Sequence, residues 1–340
     1  MAARRGDTLL FPTPPVVAAH AAIGGKKEGE GPLAACFDAL SADNFFGQSS
    51  WEAAEKELAL QTARLCLKKA QTTPEKVSLV LAGDLQAQCT ASSYAMRELG
   101  IPFAGLFGAC STMAEALGLG AALCSTGMAD GLLAMTSSHF CAAERQFRTP
   151  LSYGAVRTPT AQWTATAAGA CLLRPAGEGV QLCAVTFGRV QDYKIKDINN
   201  MGAAMAPAAA ATLLHYLKDT GSAPEDFDRI YTGDLGHVGS QLLRDLLAAE
   251  GLLLKNHVDC GCILYDAEAQ AVKSGGSGAG CCAAVLCAHI LPRLERGTQK
   301  RLLFLATGAL MSQTTFLQKE SIPAIAHLVE LWAPKKEGTA

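Results

Sequence analysis

Cys110 has the clearest potential for chemistry in this 340-residue chain, because it stands in a Gly108-Ala109-Cys110-Ser111-Thr112 corner. The apolar run at residues 103–107 predicts a buried strand, and the Ala/Gly/Leu-rich segment from Ser111 to about Thr126 predicts a helix. Free N–H groups and aligned peptide dipoles at a helix N-terminus stabilise a thiolate, an oxyanion or a bound carboxylate. Cys110 is therefore a candidate site residue. The alternative is a buried, unreactive cysteine, as we expect for most of the 13 cysteines.

An internal repeat indicates the elements that must position Cys110. Residues 74–85 align without a gap with residues 224–235, at a constant offset of 150, and both copies end in Gly-Asp-Leu. The Gly-rich corner at residues 275–280, which contains Ser277, is the counterpart of the Cys110 corner and also precedes a small-residue helix. We expect the two helix N-termini to point into one shared hollow between the halves.

Two β-α-β halves of this kind predict a duplicated α/β fold. We place the first half at residues 1–190, with an inserted loop at residues 138–163, and the second half at residues 191–340. The central helices are apolar almost all round, which favours a five-layered α-β-α-β-α arrangement with two mostly parallel sheets around them.

Local patterns add two expectations. Ser49 and Glu52 have the spacing of a capping box and predict a helix from Trp51 to about Ala70. Residues 164–173 and 181–188 read as two strands of a β-hairpin.

The loop at residues 138–163 carries further candidate ligand-binding residues. His139, Arg145 and Arg148 could each pair with a carboxylate, and loops of this length are often functional. A dimer contact is an equally good interpretation of a loop that is rich in aromatic and arginine side chains.

The strand ends of the repeat carry Asp84 and Asp234, for which two roles remain open. They could bind a Ca²⁺ ion that enters with a ligand, or they could cap the helices that follow, and the capping role is favoured. His237, three residues after Asp234, is either a site residue or a solvated loop residue.

Composition limits the class of protein. The chain is 49% hydrophobic with a net charge of −2, which is typical of a globular protein and does not favour nucleic-acid binding. There is no long uninterrupted apolar run, so we expect no signal peptide and no transmembrane helix. We therefore expect the protein to remain in the reducing cytoplasm. The segments Cys260-Gly261-Cys262 and Cys281-Cys282 lack the usual zinc-ligand spacing, so we expect no metal and no cofactor.

The Cys110 corner and the duplication together resemble the thiolase and ketoacyl-acyl carrier protein synthase superfamily, whose members place a nucleophilic cysteine at this corner. Within it, the chain looks like the stage V sporulation protein AD (SpoVAD) family from about residue 8 to residue 330. The segments that carry this resemblance are Leu81-Ala82-Gly83-Asp84-Leu85, residues 106–112, Ser137-Ser138-His139, residues 143–148, residues 201–210, Gly275-Gly276-Ser277-Gly278 and Glu320-Ser321-Ile322-Pro323.

This resemblance implies a protein of endospore formers that binds dipicolinic acid, alone or with Ca²⁺. It would act with membrane-embedded SpoVA proteins in moving this acid into the developing spore. It also implies a homodimer in the forespore, peripherally associated with the spore inner membrane.

Condensing members of the superfamily add a His paired with a His or an Asn, which stabilise the oxyanion and move protons. At the matching positions this chain has Asp234, with His237 nearby, and Ser277. The missing pair favours binding over catalysis. The alternative is an acyltransferase that uses Cys110 as its nucleophile.

Overall fold

The structure is a computed structural model, and it describes residues 3–148 and 157–335. The strands are β1 (Ala3–Arg5), β2 (Thr8–Leu10), β3 (Val16–Gly24), β4 (Ala39–Leu40), β5 (Leu79–Gly83), β6 (Phe103–Gly105), β7 (Leu132–Ser138), β8 (Trp163–Thr164), β9 (Ala167–Arg174), β10 (Val180–Thr186), β11 (Arg229–Thr232), β12 (His257–Asp259), β13 (Gly276–Ser277), β14 (Arg301–Ala309) and β15 (Ala324–Trp332). The α-helices are α1 (Trp51–Lys69), α2 (Thr90–Leu99), α3 (Thr112–Ser125), α4 (Phe140–Phe147), α5 (Met201–Thr220), α6 (Gly236–Ala249), α7 (Cys260–Leu264), α8 (Ala279–Val285), α9 (Leu291–Glu295) and α10 (Gln313–Leu317). A π-helical turn at Leu286–Ile290 joins α8 to α9, and short 3₁₀ turns include Glu28–Glu30, Pro74–Lys76, Ala109–Ser111 and Pro224–Asp226.

The main path of the 13-stranded sheet consists of two five-stranded halves that are joined edge to edge, and β1, β2 and β4 are attached to it. The strand order is β12-β11-β14-β15-β10 in one half and β3-β9-β7-β5-β6 in the other, and a short antiparallel β10–β3 pairing connects them. α3 lies between the halves, packed on β5 and β7 of one and on β14 and β15 of the other. α1 packs on the first half and α5 on the second, with α2 and α6 beside them. The duplicated, five-layered α/β arrangement is therefore confirmed.

Parallel pairing occurs in the outer three strands of each half. β6, β5 and β7 are parallel in the first half, and β12, β11 and β14 are parallel in the second. The inner pairings of β3, β9, β10 and β15 with their neighbours are antiparallel, so each half is a mixed sheet. The 12-residue repeat folds alike in both halves, with a 3₁₀ turn followed by a strand, β5 or β11.

The predicted hairpin of residues 164–173 and 181–188 is wrong. β9 and β10 cover these segments, but β3 lies between them and pairs antiparallel with β9 from Val16 to Gly24. The apolar residues of β3 are almost all buried there, so burial of this strand outweighs the local preference for a hairpin.

Two further expectations need correction. The cap of α1 is Ser50, whose side chain accepts a hydrogen bond from the Ala53 amide, so the prediction of Ser49 is one residue off. The region predicted as a loop at residues 138–163 begins with α4, and its residues 149–156 lie outside the described part of the chain. The boundary between halves near residue 190 stays a prediction.

The main hydrophobic core surrounds α3, α8 and α9, whose inward residues are largely Ala, Gly, Cys and Leu. In the part of the chain that the structure describes, no helix combines the length and the hydropathy needed to cross a membrane.

Candidate ligand-binding site

Cys110 lies in a tight turn between β6 and α3. The turn is a 3₁₀ segment from Ala109 to Ser111, in which Ala109 has a positive φ of 52°. The Ser111 hydroxyl donates to the Gly108 carbonyl at 2.6 Å, and the Thr112 hydroxyl donates to the Ala109 carbonyl at 2.7 Å. These local bonds fix the turn and leave the Cys110 side chain buried at the start of the helix, with 8% exposure.

The structure brings the Cys110 corner against its counterpart in the second half. Cys110 Sγ lies 4.0 Å from Ser277 Oγ, at the turn that leads into α8. The Ser277 hydroxyl donates to Asp234 Oδ2 at 3.0 Å, and the Thr307 hydroxyl donates to Asp234 Oδ1 at 2.8 Å. The Gly278 amide also donates to Asp234 Oδ2, at 3.2 Å. Cys110, Asp234 and Ser277 thus share one buried cluster. The repeat predicts the proximity of Cys110 and Ser277 in it.

The electrostatics of this cluster keep the Cys110 thiol protonated. Burial raises the pKa of Cys110 well above its usual range, and the neighbouring Asp234 raises this pKa further. A hydrogen bond with Ser277 lowers the pKa of Cys110, but this effect is smaller than those of burial and Asp234. The start of α3 therefore does not produce a resting thiolate here, because desolvation and a nearby carboxylate outweigh the helix dipole.

A cavity of about 410 Å³ opens beside Cys110. Its wall is largely apolar and includes Phe107, Phe147, Met205 and Met311. Polar groups are supplied by the side chains of Gln146, Ser312 and Thr315. None of the described residues that line this cavity carries a charge.

Arg148 lies beside the cluster but is engaged by an acidic neighbour. Arg148 and Arg157 both form ion pairs with the buried carboxylate of Glu144, which also accepts a hydrogen bond from Thr164 Oγ1 at 3.0 Å. Arg148 and Ser277 border the same narrow cleft. Arg148 directly follows α4, four residues after Glu144, and this spacing in the sequence predicts the ion pair.

Arg145, His139 and His237 are not among the described residues that line the cavity beside Cys110. Arg145 forms an ion pair with Glu52 at 2.9 Å. His139 caps α4 through Nδ1, which accepts from the Cys141 amide at 3.2 Å, so its Nε2 donates to the Asn44 carbonyl at 2.8 Å. His237 is exposed at the start of α6.

Asp84 and Asp234 occupy equivalent positions of the repeat but have different partners. Asp84 accepts hydrogen bonds from the amides of Gln86 and Ser92, at 2.9 and 2.8 Å, at the entry to α2. This is the helix-capping role that the sequence favours for it. In the second half, Asp259 accepts the hydrogen bonds of the Leu235 and Gly236 amides at the start of α6, and Asp234 faces Ser277 instead. The capping role that the sequence favours for Asp234 is therefore wrong.

Sequence reasoning missed Asp259 and Glu55, two fully buried carboxyl groups. Glu55 lies on α1, where it accepts hydrogen bonds from Gln86 Nε2 at 2.9 Å and Ser137 Oγ at 3.1 Å. The burial of Glu55 could not be predicted from its position in the helix, because Glu is a common residue on exposed helix faces. Asp259 could have been found as the N-cap of α7.

Glu55 predicts a pH-dependent stability. Burial, with a smaller contribution from Asp84, raises the pKa of Glu55 to about 8. A folded-state pKa above the unfolded value means that the folded state binds this proton more tightly. The contribution of Glu55 to stability is therefore fully present below its ordinary pKa of 4.5 and is lost as pH rises through about 8. The free energy of unfolding in urea should fall by a few kcal/mol from pH 5 to pH 9 in the wild type, and by less in Glu55→Gln. The exposed Glu250→Gln serves as the control, and identical slopes for all three proteins would contradict this assignment.

No group of three or more His, Cys, Asp or Glu side chains in the described ranges is arranged to hold a metal ion.

Several solved structures share this fold. A variant of OleA from Xanthomonas campestris matches with a TM-score of 0.61 at 14% identity, covering 97% of this chain and all of that one. The 3-oxoacyl-[acyl-carrier-protein] synthase III of Aquifex aeolicus matches with a TM-score of 0.57 at 13% identity, covering 94% and 99% of the two chains. The tetronic acid condensing enzyme AbyA1 gives a TM-score of 0.56 at 20% identity, over 82% and 86%. The chain therefore has a thiolase-like fold.

Sequence relatives identify the family within this class. The profile of the family described as stage V sporulation protein AD (SpoVAD) matches residues 5–332. The stage V sporulation protein AD of Bacillus subtilis (strain 168) is 41% identical over 322 residues, which is 94% of this chain and 95% of that protein. This chain belongs to the SpoVAD family and is a sporulation protein.

Proposed function

We propose that this chain is a non-catalytic binding protein for dipicolinic acid, alone or as its Ca²⁺ salt. In this proposal it acts at the spore inner membrane with membrane-embedded SpoVA proteins, which move the acid into the developing spore. Membership of the SpoVAD family supports the setting. The observation that carries the non-catalytic role is the identity of the two side chains that face Cys110.

Those side chains are poorly suited to condensation. Such a reaction needs a reactive thiolate, donors for the carbonyl oxyanion and a group that moves protons. Here the Cys110 thiol is protonated, and the Ser277 hydroxyl already donates its hydrogen bond to Asp234. A buried carboxylate beside the reacting atom would oppose an oxyanion rather than stabilise it.

The cavity beside Cys110 has properties that suit a small flat molecule. Its volume of about 410 Å³ lies within the usual range for ligand pockets, ~300–1,000 Å³. Phe107 and Phe147 offer ring faces, while Gln146, Ser312 and Thr315 offer hydrogen-bonding groups. These groups are those that orient a ligand in a mostly apolar pocket.

Calorimetry with dipicolinate, with and without Ca²⁺, tests the proposed function. We expect saturable heat with dipicolinate and weaker binding of isophthalate, which has the same two carboxylates but lacks the ring nitrogen. Met205→Trp, which fills the Cys110 cavity, tests whether that cavity is the binding site. The absence of heat with dipicolinate in either condition would overturn the proposal.

Acyl transfer is the second candidate function. The observation that favours it is the largely apolar cavity beside Cys110. Incubation with a series of acyl-CoA thioesters, followed by intact-mass measurement, separates the two functions. We expect no acyl adduct on the wild-type protein. An adduct that disappears in Cys110→Ala would establish covalent chemistry and refute the non-catalytic role.

We also propose that the protein is a homodimer. The outer edge of β6 has no strand partner among the described residues, and the large side chains of Tyr94 and Phe107 near this edge are more than half exposed. A paired edge would satisfy the free backbone groups and cover both side chains.

A further inference from the structure

A second cavity, of about 320 Å³, has no described lining residue in common with the cavity beside Cys110. It lies where β3 meets the π-helical turn at Leu286–Ile290, and its lining includes the side chains of His20, Cys287 and Glu295. We call it the Cys287 cavity. The proposed function uses none of these three side chains.

Cys287 contacts a second thiol, that of Cys171 on β9. The two Sγ atoms lie 3.6 Å apart, and Cys287 Sγ also donates to the Ala170 carbonyl at 3.6 Å. Because the hydrogen of Cys287 is directed to that carbonyl, the Cys171 S–H is the donor between the two sulfur atoms. Both residues are free thiols, and their sulfur atoms are close enough for side-chain rotation to bring them into bonding distance.

The π-helical turn holds Cys287 against the sheet. This turn joins α8 to α9 and packs on β3 and β9. Turns of this kind within α-helices are rare and occur frequently at functional sites. His20 and Cys171 are directly opposite each other in the antiparallel pairing of β3 with β9, so their side chains lie side by side on one face of the sheet. The contact between Cys171 and Cys287 shows that the turn covers this same face.

His20 supplies an unpaired nitrogen on that face. The residue is 7% exposed, and its Nε2 lies 3.1 Å from the carboxylate of Glu295. A carboxylate only accepts hydrogen bonds, so Nε2 carries the hydrogen of the neutral ring and Nδ1 keeps a free lone pair. Nδ1 has no hydrogen-bond partner among the described residues. A carboxylate that orients a histidine in this way leaves the other ring nitrogen available as a base.

The two thiols differ in their access to the cavity. Cys287 lines it, whereas Cys171 is fully buried and is not among the described lining residues. Burial raises the pKa of Cys171 well above its usual range, with a smaller contribution from Cys287, so the Cys171 thiol stays protonated. A small uncharged oxidant that enters the cavity therefore meets Cys287 first.

We propose that Cys171 and Cys287 form a redox-active pair that hydrogen peroxide converts into a disulfide, with His20 as the acceptor of the Cys287 proton. This proposal goes beyond the proposed function and does not depend on it.

The reaction balances in two steps. In the first, the Cys287 proton moves to His20, the Cys287 sulfur bonds to one peroxide oxygen and the O–O bond breaks, and the leaving hydroxide takes the proton back from His20 to become water. In the second, the Cys171 sulfur attacks the sulfenic acid of Cys287, the S–O bond breaks, and the hydroxide leaves with the Cys171 proton as a second water. The two sulfur atoms are oxidised and the two peroxide oxygens are reduced.

Peptide mapping of the full-length protein tests the proposal. The reduced protein is treated with hydrogen peroxide, alkylated under denaturing conditions and digested without reductant. We expect a linked pair of peptides that contain Cys171 and Cys287, and we expect reductant to separate them. Cys171→Ala should instead accumulate a sulfenic acid at Cys287, which dimedone traps, and Cys287→Ala should give neither product.

The matched control is Cys124→Ala, which removes another buried thiol from the same core but outside this cavity. It should form the link between Cys171 and Cys287 at the wild-type rate. The map of the wild-type protein decides the main question, so a variant that fails to fold does not weaken the test. Peroxide treatment that leaves both thiols free, or that oxidises Cys287 without linking it to Cys171, would overturn the proposal.

His20→Gln tests the base. Glutamine keeps a donor for Glu295 but has no basic nitrogen, so the link should form more slowly, by about tenfold or more. Lys69→Met changes another side chain that lines the cavity and should keep the wild-type rate. An unchanged rate in His20→Gln would overturn the role of His20 as proton acceptor.

Discussion

Asp234→Asn should make Cys110 more reactive towards iodoacetamide, by on the order of tenfold for each unit by which the pKa of the thiol falls. Asp234 is the largest source of the raised pKa of Cys110 after burial itself, through both its charge and its contact with the thiol. Burial raises the pKa of Asp234 itself, while hydrogen bonds from Cys110, Thr307, Ser277 and Gly278 act in the opposite direction, so Asp234 carries its full charge only above that raised pKa. Asparagine removes this charge at almost constant volume. More of the thiol is then ionised at a given pH, and the thiolate is the species that reacts.

Whether Asp234→Asn raises or lowers the alkylation rate of Cys110 discriminates between two roles for Asp234. A general base that activates Cys110 would make the asparagine variant less reactive. A carboxylate that suppresses ionisation of the thiol makes it more reactive. The rate should be followed by mass spectrometry of the peptide that contains Cys110, between pH 7 and 9, because the chain has 13 cysteines.

Asp259→Asn is the control for indirect effects. Asp259 is also a fully buried acceptor of several hydrogen bonds, but it is not among the largest contributors to the shifted pKa of Cys110. Both variants should lose about 1–3 kcal/mol of stability, because an amide group then faces buried donors such as the Gly278 amide. Only Asp234→Asn should change the alkylation of Cys110, and slower alkylation in that variant would contradict the assignment.

The sequence predicts the fold well because the repeat and the small-residue helices are local features. The equal spacing of residues 74–85 and 224–235 required two similar units, and β5 and β11 occupy equivalent places in the sheet. α3 and α8 are apolar around almost their whole circumference, so they must be buried on all sides, and only a central layer of the fold provides this. The position of β3 between β9 and β10 could not be predicted from local sequence patterns, because it depends on pairing between segments that are distant in the sequence.

The candidate site was predicted in part, for a related reason. Cys110 and Ser277 follow from matching corners, so their proximity of 4.0 Å is a consequence of the duplication. Arg145 pairs with Glu52 of α1, a partner that depends on how α4 packs, whereas Arg148 pairs with Glu144, which is only four residues away. The two aspartates of the repeat are indistinguishable in sequence, and only tertiary contacts give one a capping role and the other a place beside Cys110.

Gly280→Ala and Gly169→Ala should each prevent normal folding or destabilise the protein by about 3 kcal/mol or more, as severe overpacking of a core does. A Cβ atom at Gly280 would lie 2.0 Å from the Ala167 carbonyl oxygen, and one at Gly169 would lie 2.3 Å from the Ala283 carbonyl oxygen. Both contacts are with backbone atoms, which cannot rotate away as a side chain can. Soluble yield and the urea midpoint measure the effect, with Gly29→Ala as the control, because its added Cβ would meet only ordinary contacts at 3.4 Å and beyond.

These two glycines set the distance between α8 and β9, and that distance also places the candidate site. Ser277 precedes Gly280 by three residues, so a displaced α8 carries the Ser277 hydroxyl away from Asp234 and Cys110. If either variant folds at all, its Cys110 should therefore alkylate at an altered rate, whereas Gly29→Ala should match the wild type. Wild-type stability in both glycine variants would show that the helix and the sheet can separate without cost, and the close approach would then have no role in positioning Ser277.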